Sequence, residues 1–356
     1  MTRLARVTVC SGALRANLAR IRSLAPRARV LAVVKANAYG HGAVTVARAL
    51  GGADAFGVAN LAEAVQLREA GVRQPVLVLG GFRNDEELAA ISRLGLWTVV
   101  HQDWQVERLT AASLPAPVGV WLKLDTGMHR LGLEAGPFRE AWRRLEDHVN
   151  CLRPPVLMTH LACADDAAHP EFTHAQLRRF HAVTEGLRGE SSIANSAALL
   201  AFPQTRAGWI RPGLLLYGAW PLLGGAQRDG LAWRPAMRLS APVIAVRRLR
   251  AGDAVGYGAT WVCPEDMDVA VVAAGYADGY PRHVPPQTPV FIGGRPARVV
   301  GRISMDMITV DLRGLPAPRI GDEAVLWGEE VRVDEVARRA GTIPYELLCA
   351  AGRCVT

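Results

Sequence analysis

The strongest constraint on what this chain can fold into is an alternation. Short apolar runs of strand length recur at 30–36, 54–59, 75–80, 96–101, 117–124, 155–161, 191–195 and 209–216. Amphipathic helical patterns fill the intervals at about 42–51, 61–71, 85–94, 104–113, 137–148, 173–187 and 197–203. Runs rich in Val and Ile, without polar alternation, read as strands buried on both faces, which is the habit of parallel sheets covered by helices. Eight strands alternating with helices fit a closed (β/α)8 TIM-type barrel better than an open sheet. An earlier helix opens at Ser11, read as its N-cap, with Leu14, Leu18 and Ile21 on one face. Near 220–235 the pattern breaks at Pro221, Gly224, Gly225, Gly230 and Pro235. Beyond it lie short β-like runs at 238–249, 269–274, 289–292, 296–303, 307–312 and 322–327, then helices at about 333–340 and 344–350. The expected architecture is α/β: a barrel over residues 1–230, followed by a mainly β C-terminal domain over 231–356.

Barrels carry their chemistry at the carboxyl ends of the strands. That rule gathers Lys35 at the end of strand 1, Lys123 and Asp125 at strand 5 with Arg130 in the following loop, His160 at strand 6, Asn195 and Ser196 at strand 7, and Arg211 and Gly213 on strand 8. The lysines stand out because they are rare. Of 41 basic residues only Lys35 and Lys123 are lysine, leaving 41 − 2 = 39 arginines. Where positive charge alone is needed, arginine serves this chain. A lysine amine can also lose its proton, attack a carbonyl and form a Schiff base, which a guanidinium cannot. The loops after strands 7 and 8 are where barrels commonly hold phosphate. Backbone N–H groups at Ser196 and Gly213, with the Ser196 hydroxyl, would make such a cradle, although Asn-Ser and Pro-Gly are also everyday turn sequences.

Charge narrows the function classes. The net charge is +8 and the pI about 9.6. The arginines are scattered, with no basic tail or aromatic-interleaved stripe, so a small anionic ligand suits them better than nucleic acid. No stretch approaches the ~20 apolar residues of a membrane span, and Met1–Val9 lacks the apolar core of a signal peptide. The six cysteines include no CxxC pair, which argues for a reducing cytoplasm and against a disulfide framework or zinc site. Cys349 and Cys354 read as free thiols. His169, Glu171, His174 and His181 look like scattered metal ligands, but nothing completes a set, and no metal is expected.

Lysine, phosphate cradle and barrel together suggest pyridoxal phosphate, and nine segments then resemble the alanine racemase family in order. Val-Val-Lys-Ala-Asn-Ala-Tyr-Gly-His-Gly at 33–42 resembles its pyridoxal-phosphate attachment motif. There follow Lys-Leu-Asp-Thr-Gly-Met-His-Arg-Leu-Gly at 123–132, Thr-His-Leu-Ala at 159–162, Ala-Asn-Ser-Ala at 194–197 and Arg-Pro-Gly-Leu-Leu-Leu-Tyr-Gly at 211–218. The β region adds Val-Gly-Tyr-Gly-Ala-Thr-Trp at 255–261, Gly-Tyr-Ala-Asp-Gly-Tyr at 275–280, Gly-Arg-Ile-Ser-Met-Asp at 301–306 and Thr-Ile-Pro-Tyr-Glu at 342–346. The likeness covers nearly the whole chain.

The resemblance implies an isomerase that interconverts L-alanine and D-alanine by a two-base mechanism through an external aldimine of pyridoxal phosphate. Lys35 would hold the cofactor and act as the base on the D-face, and Tyr257 would be the base on the other. His160 and Arg211 would support Tyr257, with Arg211 also facing the pyridine nitrogen. Lys123 would be carbamylated and pair with Arg130, which contacts the cofactor's phenolic oxygen; a plain ion pair of Lys123 with Asp125 is the alternative. Tyr39, Ser196, Gly213, Leu214 and Tyr345 would join Lys35 and Arg211 in binding the cofactor. Arg130, Met305 and Tyr276 would meet the substrate, with Asp306 and Asn195 behind them. Tyr257, Tyr276 and Met305 would reach into a partner subunit, so a cytoplasmic homodimer with shared active sites is implied. The same motifs occur in enzymes that supply D-alanine for peptidoglycan of the cell wall and in those that degrade it. The rival within the family is a broad-specificity or serine racemase. A barrel-type decarboxylase would carry a cysteine-centred motif where Tyr257 stands, and non-catalytic pyridoxal-phosphate-binding barrels lack residues 236–356.

Overall fold

A computed structural model of the chain describes residues 3–152, 154–166, 170–223 and 233–352. His169, Gly224, Gly225, Gly230, Cys354 and the expected domain boundary at 230/231 lie outside the described residues. The eight apolar runs form eight parallel strands: Arg29–Val33, Ala55–Val58, Val76–Val78, Trp97–Val100, Gly119–Lys123, Val156–Met158, Ser191–Ser192 and Trp209–Ile210. They pair in chain order, with the last strand beside the first. The ring closes where the Arg211 N–H donates to the Ala194 carbonyl at 2.9 Å and the Ser192 hydroxyl donates to the Trp209 carbonyl at 2.8 Å. Each strand is shorter than its apolar run. Residues 193–194 and 214–217 stay buried after the ladder has ended, so their apolar character records burial rather than pairing.

The helices Ala43–Ala49, Leu61–Glu69, Asp85–Arg93, Asp103–Ala111, Ala135–Leu145, Pro170–Thr184 and Ser196–Ala201 follow the strands. Asn60, Asn84 and Asn195 cap three of them, each side chain accepting an N–H three residues on. Ser11 is not a cap: it is the first residue of the helix Ser11–Leu24, and Cys10 holds the cap position without a side-chain bond.

The second unit is antiparallel. Its long strand Met237–Leu249 pairs with Met267–Val272 along one half and with Glu323–Trp327 along the other. Ile308–Asp311, Arg295–Val300 and Pro289–Ile292 complete the circuit between those two neighbours. The strand Arg6–Val9, from the amino end, joins this sheet rather than the barrel, pairing with Met237–Ser240. The sequence reading passed over it. The helices Val333–Arg339 and Pro344–Ala351 finish the described chain. No helix among the described residues is long and apolar enough to cross a membrane.

Candidate active site

Lys35 does not end the first strand, as the sequence suggested. Pairing stops at Val33, and Lys35 opens a one-turn helix, Lys35–Tyr39, of the wrong hand. Ala36, Asn37, Ala38 and Tyr39 have φ of 53°, 52°, 55° and 52°. Left-handed helix costs L-residues about 1–2 kcal/mol each, so the turn has to be held from outside. Val34 C=O accepts from Ala38 N–H at 2.8 Å, and the Asn37 side chain accepts from Ala43 N–H at 2.8 Å. Gly40 closes the turn at φ 77°, where any side chain would strike the Leu348 carbonyl of the C-terminal helix. The result is an amine at the carboxyl mouth of the barrel with a depressed pKa. Burial lowers it most, and Arg130 lowers it further, against opposing effects of Glu63 and Cys349.

Four further cationic or titratable groups, Lys123, Arg211, His160 and Arg130, surround the same mouth. Lys123 is the last residue of its strand and only 6 % exposed. Burial, then Arg130 and Arg211, push its pKa down to about 8. It has no ion-pair partner among the described residues. The alternative partner Asp125 is taken up by its own loop, accepting from Gly127 N–H at 2.9 Å and His129 N–H at 3.2 Å, with the His129 ring 3.4 Å away. Arg211 is buried, and burial lowers it to about 9. Its guanidinium donates to the Ser192 hydroxyl at 2.7 Å and to the Thr159 carbonyl at 2.7 Å. It also lies 3.3 Å from His160 Nδ1. A guanidinium only donates, so His160 Nδ1 is the acceptor and Nε2 carries the proton. Burial and the surrounding Arg211, Lys123, Arg130 and Lys35 hold His160 well below its ordinary range, hence neutral. Arg130 itself is exposed.

The cradle expected after strands 7 and 8 is present. The buried Ser196 hydroxyl accepts from Gly213 N–H at 2.9 Å and from Leu215 N–H at 3.3 Å. Gly213 has to be glycine, because a Cβ there would collide with the Tyr39 hydroxyl. The Leu214 side chain is buried beside them. Tyr39 packs between Tyr217 and Tyr345, at ring centroid distances of 4.9 and 5.5 Å. Burial raises Tyr345 to about 12 and Tyr39 further, so both stay protonated donors. Asn195 caps the short helix that carries Ser196.

Of the expected residues of the β unit, Tyr345 joins this cluster, whereas Tyr257, Tyr276, Met305 and Asp306 make no side-chain hydrogen bond to it among the described residues. Tyr257 is 64 % exposed on a 3-10 turn, Met305 54 % and Tyr276 39 %. Arg282 lies over the rings of Tyr257 and Tyr276, at 6.0 and 5.5 Å. Asp306 faces Arg3 at 3.4 Å. No hydrogen bond among the described residues joins Tyr257 to His160 or Lys35. Sequence reasoning missed Glu63, which bonds the backbone beside Lys35, because a glutamate in the first turn of a helix reads as an end charge. It also missed Thr126, Thr159 and Gln176. Their side chains, linked at 2.8 and 3.0 Å, brace the segment after the strand Val156–Met158, where His160 lies two residues beyond the strand end at which it was expected, and neutral residues give no charge signal.

Comparison with known proteins agrees over the full length. Residues 9–221 match the family model "Alanine racemase, N-terminal domain" and residues 236–356 match "Alanine racemase, C-terminal domain". An alanine racemase of Thioalkalivibrio sulfidiphilus is 52% identical over 354 residues, 99% of this chain and 98% of the relative. One of Halorhodospira halophila is 51% identical over 351 residues, 98% and 96% of the two chains. The crystal structure of a biosynthetic alanine racemase from Pseudomonas aeruginosa superposes with a TM-score of 0.92 at 44% identity, covering 99% and 97%. That of an alanine racemase from Bartonella henselae with covalently bound pyridoxal phosphate gives a TM-score of 0.87 at 28% identity, covering 99% and 98%.

Proposed function

Since the chain belongs to the alanine racemase family, it interconverts L- and D-alanine, and we propose that it uses Lys35 and Tyr257 as bases on opposite faces of the substrate, with pyridoxal phosphate as cofactor. One observation carries this reading. The barrel mouth holds an amine of depressed pKa among cations, whereas the exposed Tyr257 hydroxyl finds no partner among the described residues. Each is half of a two-base site.

The residues present fit the cofactor. Lys35 offers an amine for its aldehyde. Tyr39, Tyr345, Ser196 and the backbone at Gly213 and Leu214 offer donors for its phosphate, in a cradle that a Cβ at Gly213 would fill. Bound there, pyridoxal phosphate would supply a sink for the electron pair left at Cα when the proton departs. Lys35 takes the α-proton of D-alanine and Tyr257 that of L-alanine. A phenol has to lose its own proton before it can take one from carbon, so its phenolate needs a hydrogen-bond donor. The His160 Nε2–H, held in that tautomer by Arg211, is the donor that stabilises the phenolate. Arg211 would face the pyridine nitrogen, and a group that stays protonated cannot give that nitrogen a carboxylate's help in holding a proton. Lys123, with a pKa of about 8, is about one-tenth neutral at pH 7. That neutral amine can capture CO2 as a carbamate, and the new negative charge would pair with Arg130. Arg130 and the Met305 backbone receive the substrate carboxylate, with Asn195 and Asp306 behind them, and Tyr276 narrows the entrance to alanine size.

The active form is a homodimer in which Tyr257, Tyr276 and Met305 of each β unit complete the partner's barrel. Its working place is the cytoplasm, in keeping with free thiols at Cys10, Cys151, Cys163, Cys263 and Cys349. We adopt a biosynthetic role, supplying D-alanine for peptidoglycan; the Pseudomonas neighbour is itself described as a biosynthetic alanine racemase. Mixing tests the shared site. Lys35→Ala and Tyr257→Phe are each expected to lose activity at least about a thousand-fold. After subunit exchange at equal amounts, half the dimers are mixed and one of their two sites is intact, so about a quarter of wild-type activity should return. No recovery from mixtures proven to contain mixed dimers would sink the shared site.

A further inference from the structure

The left-handed turn that presents Lys35 is tied at its first amide by a side chain from a neighbouring helix. Ala36 N–H, the amide directly after Lys35, donates to Glu63 Oε1 at 2.8 Å. The other oxygen, Oε2, accepts from Ala59 N–H at 2.7 Å, just beyond the second barrel strand. One carboxylate thus joins the ends of the first two strands at the catalytic mouth. Its place is set in turn by Asn60, the helix cap, whose side chain accepts from Glu63 N–H at 3.0 Å.

The next helix holds an internal control. Asn84 caps it, accepting from Glu87 N–H at 2.9 Å, and Glu87 Oε2 accepts from Arg83 N–H at 2.9 Å, the counterpart of the Ala59 bond. The two Asn-x-x-Glu caps agree up to the last oxygen. Glu87 gives its Oε1 to the exposed Arg83 guanidinium. Glu63 sends its Oε1 out of its own helix to the residue after Lys35. Capping explains two of these four carboxylate contacts and an exposed ion pair the third, which leaves the Ala36 bond to be explained.

We propose that Glu63 is a positioning residue for racemisation, its carboxylate holding the left-handed turn in the form that aims the Lys35 amine. This rests on the reading of Lys35 as the D-face base. The charged and titratable groups facing Lys35 are Arg130 from the loop after the fifth strand, Glu63 from this helix, the Cys349 thiol from the C-terminal helix and Lys123 across the mouth. Among the described residues Glu63 is the only carboxylate in that group.

Glu63→Gln keeps the shape, loses the charge and leaves only one oxygen to accept. It is expected to lower kcat about ten- to a hundred-fold, the scale of a misaimed reacting group, with KM for alanine changed less than threefold. Glu63→Asp should recover part of the loss, and Glu87→Gln should stay within twofold of wild type. The primary isotope effect with α-deuterated D-alanine should rise, because that proton goes to Lys35, while the effect with α-deuterated L-alanine should stay put. In the full chain freed of cofactor, trinitrobenzenesulfonate should label Lys35 several-fold faster at pH 8 in Glu63→Gln, since a nearby negative charge has been removed. With only two lysines in the chain, peptide mass resolves the labelled site. A rate within twofold of wild type overturns the proposal. So does a loss that Glu87→Gln matches, or one explained by unfolded protein whose folded remainder shows wild-type isotope effects. An isotope effect that rises with L-alanine instead would overturn the face assignment of Lys35 and leave the labelling result to judge Glu63.

Discussion

The same eight strands end in two mouths with opposite chemistry. At the carboxyl mouth Lys123 and Arg211 are 6 % and 4 % exposed, and neither has a carboxylate within ion-pair distance among the described residues. At the amino mouth the charges are matched and half in water. Arg29 pairs with Glu190 and lies 4.3 Å over the ring of Trp209, while Asp54 pairs with Arg22 at 2.9 Å. Between them Trp97, Trp121 and Trp209 pack with centroid separations of 5.6–6.4 Å. Buried unpaired cations destabilise a fold, and packed indole rings stabilise it. The difference teaches that this barrel spends stability at one end, where the amines must shed protons and receive a ligand, and recovers it at the other.

The comparison breaks most visibly at Trp121, which is 1 % exposed. Trp121→Ala removes one ring of the cluster and should cost about 3–5 kcal/mol. The lower end is expected, because a cavity of about 450 Å³ already opens beside it and lets the site relax or fill with water. Chemical denaturation measures the loss. The turnover of the folded enzyme should stay within about twofold of wild type. A collapse of kcat in fully folded Trp121→Ala would show that the two mouths are not separable.

Lys123 sharpens the other side. Its folded pKa of about 8 lies below the ordinary lysine value of 10.5. Between those values the unfolded chain binds more protons than the folded one, so stability should rise with pH across that window. Below pH 8 the full penalty applies, and Lys123→Met should therefore stabilise the protein at pH 7, by about 1–3 kcal/mol, while lowering racemase activity. The gain should shrink in bicarbonate-saturated buffer, where a carbamate would give wild type the partner it lacks. Denaturation midpoints at pH 7 and pH 10, with and without bicarbonate, check both signs. A Lys123→Met variant less stable than wild type at pH 7 would contradict the unpaired-cation reading.

These two ends were unequally legible in the sequence. The barrel was legible because strands buried on both faces give unbroken apolar runs. The reactive amines were legible because lysine is so rare among the arginines. The turn that aims Lys35 was not. Alanine at 36 and 38 carries no signal for positive φ, and the Val-rich run continues past the point where pairing stops. Glu63 was hidden behind an ordinary cap pattern. Arg6–Val9 was hidden because four residues are too few to separate a strand from a loop. The amino mouth gave no signal because its tryptophans stand on three separate strands and meet only when the barrel closes.

The smallest expected effect lies at the rim of that mouth. Arg29 and Glu190 side chains are 38 % and 46 % exposed, so water screens their attraction, and such pairs are worth about 0–1 kcal/mol. Arg29 also stacks on Trp209, a contact worth about 0.5–1 kcal/mol at an exposed site. Arg29→Ala should therefore cost no more than about 1–1.5 kcal/mol and leave racemisation unchanged. The two contributions separate by salt. Added salt weakens the ion pair and hardly touches the stack. If the pair dominates, the cost of Arg29→Ala should fall toward zero in about 1 M sodium chloride, and Glu190→Gln should reproduce most of it at low salt. If the stack dominates, the cost should persist in salt, and Glu190→Gln should be nearly silent. The geometry favours the stack, because the Trp209 ring is 3 % exposed and already fixed by its neighbours, so Arg29 gives up little freedom of the ring in lying on it. A cost that persists in salt would extend the aromatic seal of the amino mouth outward to Arg29. A cost that vanishes would place its edge at Trp209.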